Sequence, residues 1–109
     1  METKEFSKSK VFNFNDSIGY SNSAIVSKAI IKMSSGNISL FAFDKGETIS
    51  EHTADFDALV QVIDGKAEII INKQSYIMIT GQSIIMPANV PHSVKALDKF
   101  KMLLTMIKA

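Results

Sequence analysis

The sequence contains no cysteine, no tryptophan and no arginine. Without cysteine there is no thiol nucleophile, no disulfide and no cysteine-based zinc site. Without arginine the chain lacks the bidentate fork that reads guanine and clasps phosphate. All basic charge is carried by lysine, the net charge is +1, and no basic cluster is interleaved with aromatics, so nucleic acid is not an expected partner. Long apolar runs are missing as well. None approaches the ~20 residues of a membrane-spanning helix, and no membrane partner is expected. The first ten residues alternate Lys4, Lys8 and Lys10 with Glu2 and Glu5 and lead into no apolar segment. That is unlike an export signal and makes the cytoplasm the expected location.

What is present suits one soluble domain: 109 residues, 46% apolar and 21% charged. Isoleucine is abundant, and its β-branch favours strands. From residue 25 onward short apolar runs alternate with turn signals. The runs are 25–33, 38–43, 59–63, 66–71, 76–79, 83–86, 92–96 and 102–107. Asp64-Gly65 between two of them is a strong hairpin signal, and Asn72-Lys73 marks another tight turn. Eight or nine short strands at roughly ten-residue spacing predict an antiparallel sandwich or barrel. Residues 1–24 are rich in Ser, Asn and Lys and read as an N-terminal arm, docked through an apolar knot at Val11, Phe12 and Phe14. Residues 25–109 read as the barrel.

The only histidines are His52 and His92. Two histidines are an ordinary count, and either alone reads as a structural imidazole. Their contexts match, however: Gly46 precedes His52, and Gly81 and Pro87 precede His92. The first context runs from Gly46 through His52, Ala54 and Ala58 to Gly65. The second runs Gly81, Pro87, Asn89, His92. These spaced landmarks resemble the two motifs of a small single-domain cupin of the conserved-barrel (cupin 2) type over about residues 38–108. The resemblance implies an all-β cupin-type double-stranded β-helix, a jelly-roll barrel, preceded by the arm. Asn89 stands where the family has glycine, and Asn also tolerates positive φ.

In cupins of this kind three histidines and a glutamate hold a divalent metal. Carried over by position, the metal ligands are His52 and His92, and zinc, iron, manganese or nickel are the candidate metals. The second histidine position is Ala54 and the glutamate position is Ala58. Two imidazoles are a poor set for metals that take three or four protein ligands. Asp57 is expected to face away from the interior unless a bulge turns it inward; Asp55 and Glu51 are nearby. The expected ligand pocket is His52, Ala54, Ala58, Val60, Met86 and His92, apolar apart from its imidazoles, with Phe41 or Phe43 closing one end. The competing reading is that these residues simply fill a small barrel core.

Three functions follow. The first is binding of a small molecule in the barrel near His52 and His92, with a weakly held divalent metal as an addition. The second is a metal-dependent cupin enzyme of dioxygenase, isomerase or cyclase type with a reduced ligand set. The third is metal-free acid–base catalysis by the two imidazoles. A homodimer is also expected, because the arm's apolar knot and the open sheet edges require cover.

Overall fold

Alternation of apolar and polar side chains builds a series of strands from residue 25 onward. The structure, a computed structural model, describes residues 6–108. Residues 1–5 of the expected arm, and Ala109 of the expected barrel, lie outside the described residues. The strands are β1 (Ile25–Met33), β2 (Gly36–Phe43), β3 (Thr48–His52), β4 (Ala58–Asp64), β5 (Lys66–Ile71), β6 (Gln74–Ile79), β7 (Ser83–Met86), β8 (His92–Ala96) and β9 (Phe100–Ile107). The pattern of apolar runs misses β3. Its Thr-Ile-Ser-Glu-His segment holds one aliphatic residue and is a strand because β8 pairs with it.

The strands form two sheets, in the orders β1-β2-β9-β4-β7 and β3-β8-β5-β6, with every pairing antiparallel. This is an all-β jelly roll. Strand β4 shows how the core is chosen: Ala58, Val60 and Val62 are buried, while Leu59, Gln61 and Ile63 face outward and are less covered. Phe43 on β2 and Phe100 on β9 are adjacent across the ladder, both fully buried, and stack with ring centroids 4.5 Å apart. They close one end of the interior, so the mostly filled region lies at that end and open space at the other.

Two turns follow from their residues. Asn72 and Lys73 both have positive φ, 49° and 68°, as a type I′ hairpin between Ile71 and Gln74 demands. At Gly65 the β4–β5 turn passes against the start of β9: φ is +89°, and a Cβ there would sit 1.9 Å from the Lys99 carbonyl oxygen.

The arm lies on the outer face of the five-stranded sheet, and its anchor differs from the expected one. Val11 is 98% exposed, and Phe12 and Phe14 are 42% and 38% exposed. Phe12 packs against Phe6 and Phe14, with ring centroids 4.8 and 5.8 Å away. Ile18 is the residue that docks. It is 4% exposed and packs with Leu40, Ala42 and Leu103. Polar contacts add to it. Lys101 of β9 is buried, and its ammonium donates to the backbone oxygen and Oδ1 of Asn15 at 2.6 and 2.9 Å. That ammonium lies 5.1 Å from the Tyr20 ring centroid. Tyr20 in turn donates its hydroxyl to Asp64 at 2.7 Å. Burial, then the Asp64 contact, pushes the Tyr20 phenol well above its ordinary range.

Gly65→Ala should destabilise the fold severely. The left-handed conformation alone costs about 1–2 kcal/mol, and the backbone clash adds to it. Gly81→Ala, at φ +92° but with nothing within 4 Å, should cost only the conformational part. Urea midpoints of the two variants against the parent check this ordering.

Candidate functional site

The two histidines are brought together by register. On β8 the alternation places His92 and Val94 inward, both buried. On β3 alternation alone would turn Glu51 inward with Ile49. Instead the ladder steps from Ile49↔Val94 to His52↔His92, three residues on β3 against two on β8. This bulge aims the His52 ring, and not the Glu51 carboxylate, at the interior. His92 is 4% exposed, whereas His52 is exposed and sits at the mouth.

Both rings are held in the same manner. His52 Nδ1 lies 2.8 Å from the Ser50 carbonyl oxygen and His92 Nδ1 lies 3.1 Å from the Val90 carbonyl oxygen. A carbonyl only accepts, so each Nδ1 carries the proton and donates it. Each Nε2 then bears a lone pair in the neutral ring. The two Nε2 atoms face each other at 3.1 Å, with ring centroids 4.4 Å apart and planes at 69°. Three contacts in a row require three protons, and two neutral imidazoles supply two. The gap between the Nε2 atoms therefore calls for an external hydrogen-bond donor, a cation or a captured proton. Burial above all holds His92 below its ordinary pKa of 6.5; the Val90 carbonyl opposes this, and repulsion from a protonated His52 adds to it as the smallest cause. His92 is thus disposed to stay uncharged at neutral pH.

Beside the pair lies a cavity of about 210 Å³. Of the expected pocket residues, His52, Ala54, Ala58, Met86 and His92 line it. Val60 does not. It is fully buried and pairs with Leu104 and Ile84 one pleat deeper, where the core is filled. Phe41 lines the cavity, and Phe43, the other residue expected at the end, is taken up by its stack on Phe100. Sequence reasoning missed Ile49, Val94, Met102, Leu104 and Met106 as wall residues. Their parity on β3, β8 and β9 was a readable signal once strand pairing was known. Three of the eleven lining residues are methionines, an unbranched and adaptable wall.

The carboxylates near the motif do not join the pair. Asp57 Oδ1 accepts the Ala88 N–H at 2.8 Å on the outside, and Asn89 donates its N–H to the Ala54 carbonyl at 2.7 Å. Together these contacts tie the β7–β8 loop to the β3–β4 loop. Asn89 adopts φ 62°, the left-handed conformation its place in the motif required. Asp55 and Glu51 are exposed. Among the described residues no group of three or more His, Asp or Glu side chains could hold a metal ion. The spacing of the Nε2 atoms is within reach of two bonds of ~2.0–2.1 Å to one metal. Alanines stand at the other two ligand positions, however, so the donor set fits a loosely held ion and not a lasting four-ligand centre.

Among the described residues no helix is long and apolar enough to cross a membrane. A comparison with curated proteins finds no match. Solved structures do match. A conserved protein of unknown function from Streptococcus pyogenes is 31% identical with a TM-score of 0.92, over 97% of this chain and 93% of that one. A cupin superfamily protein from Desulfitobacterium hafniense is 24% identical with a TM-score of 0.90, over the whole of both chains. A cupin 2 conserved barrel domain protein from Leptotrichia buccalis is 36% identical with a TM-score of 0.86, over 89% of this chain and 47% of that one. The family model of the cupin domain matches residues 39–108, the stretch that holds both histidines and all but the first strand and a half. On that match, and on the jelly roll that carries it, the chain belongs to the cupin family.

Proposed function

We propose that the protein binds a small, mainly apolar molecule in the cavity between its sheets, holding the molecule's single polar end on His52 and His92. The observation that carries this reading is the pair of Nε2 lone pairs converging at 3.1 Å on the wall of an otherwise apolar cavity. Two acceptors select a donor, so the polar end is a hydroxyl or an N–H and not a carbonyl. The volume sets the size. A cavity of roughly 150 Å³ takes benzene, so about 210 Å³ suits one ring or a short branched chain with one or two substituents.

Thermal denaturation with phenol against toluene, and with isobutanol against isobutane-like hydrocarbons, tests this directly. At ten times its dissociation constant a donor-bearing ligand adds about 1.4 kcal/mol, a rise of several degrees for a chain of this size. The hydrocarbon of equal size should give a smaller shift. The double variant His52→Ala, His92→Ala should lose the difference between them. A parent protein that responds no more than the double variant to any donor sinks the reading.

A second reading, a metal-dependent enzyme with a reduced ligand set, draws on the fixed tautomers: both Nε2 atoms are free to ligate because both Nδ1 atoms are occupied. His52 and His92 would hold the ion, which would supply Lewis-acid polarisation of a bound carbonyl. Elemental analysis of untagged protein should give metal well below one per chain, removable by brief dialysis against chelator. Ala54→His with Ala58→Glu should then raise zinc affinity by two orders of magnitude or more, since both positions line the same cavity. Near-stoichiometric metal in the parent, lost on His52→Ala with His92→Ala, would favour the enzyme.

The lowered pKa of His92 has a sign for stability. Folded His92 resists a proton that the unfolded chain accepts, so its contribution is complete above pH 6.5 and is lost as pH falls below that value. Urea midpoints from pH 8 to pH 5 should therefore be level and then decline. In His92→Gln the part of the decline that begins at pH 6.5 should vanish.

A further inference from the structure

The arm and the outer face of the five-stranded sheet enclose a cleft of about 740 Å³, separate from the histidine cavity. Its floor is the sheet: Ile31 and Met33 of β1, Ile38 of β2 and Leu103 of β9. The β1 bulge between Ala29 and Ile31 extends this floor, because it turns Ile31 and Met33 to the same face as Ile38. Strand β1 pairs only with β2, so the floor runs out to an open edge. Ile31 and Met33 are 49% and 64% exposed. The other wall is the arm. Phe6 seats on the cluster around Leu40 and Leu103, and Phe12 and Phe14 follow it ring against ring. All three rings line the cleft. The contacts of Asn15 and Ile18 with the sheet hold the arm in place just beyond them.

The cleft carries charge of one sign. Lys8 and Lys10 line it from the arm and Lys32 from β1, and among the described residues no carboxylate does. Lys8 and Lys10 flank Ser9, whose left-handed φ of 61° turns the chain between them. All three lysines are exposed. Such side chains lay their stems on apolar surface and keep the ammonium at the rim. Positive charge therefore comes from both walls. Two like-charged walls repel, and an anion held between them replaces that repulsion with attraction on each side. The dimensions suit a ligand. Clefts of roughly 300–1,000 Å³ take small molecules. The floor crosses β1, β2 and β9, about 10 Å, a span that an extended alkyl chain of about ten carbons covers.

We propose that this cleft is a second binding site, for a free medium-chain fatty acid whose alkyl chain lies along the floor and whose carboxylate is held by Lys8, Lys10 and Lys32. The apolar floor and the aromatic wall select a hydrocarbon chain and give a small hydrophilic anion nothing to bury. The lysines select the sign of the head group. Lysine offers separate point charges and no planar fork, and the two oxygens of a carboxylate accept from several directions at once. A bound acid would join the arm to the edge of β1, because its head group is shared between Lys8 and Lys10 on one wall and Lys32 on the other. The site does not depend on the histidine pair, which belongs to the strands of the other sheet and opens between the sheets.

Calorimetric titration of the full chain with decanoate, kept below its micelle concentration, tests this. One decanoate should bind per chain. Octanoate should bind about tenfold more weakly, the cost of two methylenes. Decyltrimethylammonium, the same chain with a positive head, should also bind about tenfold more weakly or worse. Lys10→Glu with Lys32→Glu changes two exposed residues and should invert that order, favouring the cationic amphiphile, with an unchanged circular dichroism spectrum. Ile31→Glu places a carboxylate on the floor and should weaken decanoate without altering the fold. His52→Ala with His92→Ala should still take up decanoate. A parent that binds no decanoate, or binds both head groups equally, overturns the proposal. Binding that survives the two lysine changes and is lost with the two histidines also overturns it, by placing the acid in the cavity. Capture by phosphatidylglycerol vesicles without binding of free decanoate overturns it too, by assigning the lysines to a bilayer.

Discussion

Strand β9 pairs with β2 on one side and β4 on the other, and the period of two along it divides the molecule. Phe100, Met102, Leu104 and Met106 point between the sheets, where the first completes the aromatic stack and the others line the cavity. Lys101 and Leu103 point outward under the arm. A one-residue slip would exchange these sets, bringing an ammonium into the apolar interior and leaving methionines on the surface. The penalty for that exchange fixes the register. The register then fixes the rest: the stack at the filled end and the open volume beside the histidines.

Within that frame the site is a matter of subtraction. Alanines at positions 54 and 58 take away a histidine and a carboxylate that the family's motif would supply, and both line the cavity. Space and lone pairs remain in place of a filled coordination sphere. The histidines themselves are more tightly prepared than a pair of chance neighbours, because each ring is pinned through Nδ1 to a carbonyl two residues earlier. Pinned rings lose little freedom when something binds, which keeps the entropic cost of recognition low.

Much of this was legible in the sequence, for definite reasons. Eight strands declared themselves because isoleucine and valine recur between turn residues, and Asp64-Gly65 and Asn72-Lys73 are residues whose backbone preferences name their turns. The family followed from the spacing of Gly46, His52, Gly65, Gly81, Pro87 and His92. What was not legible depended on pairing. Strand β3 has too little apolar content to announce itself. The bulge that turns His52 inward exists only against β8. Val60 has the parity of a wall residue, and its depth is set by Ile84 and Leu104 across from it. The arm illustrates the same point. Its aromatic knot looks like an anchor, yet Ile18, a lone aliphatic among polar neighbours, is the arm residue buried against the sheet.

The clasp between arm and sheet has one property that sets it apart from the cavity. The two acceptors of the Lys101 ammonium are neutral oxygens of Asn15. Neither can be neutralised by acid. Acidification bears on the imidazole side of the molecule and leaves that contact untouched. The proton that acid adds falls first on the cavity side of the protein, and this one tie of the arm keeps both its acceptors under conditions that change what the cavity takes in.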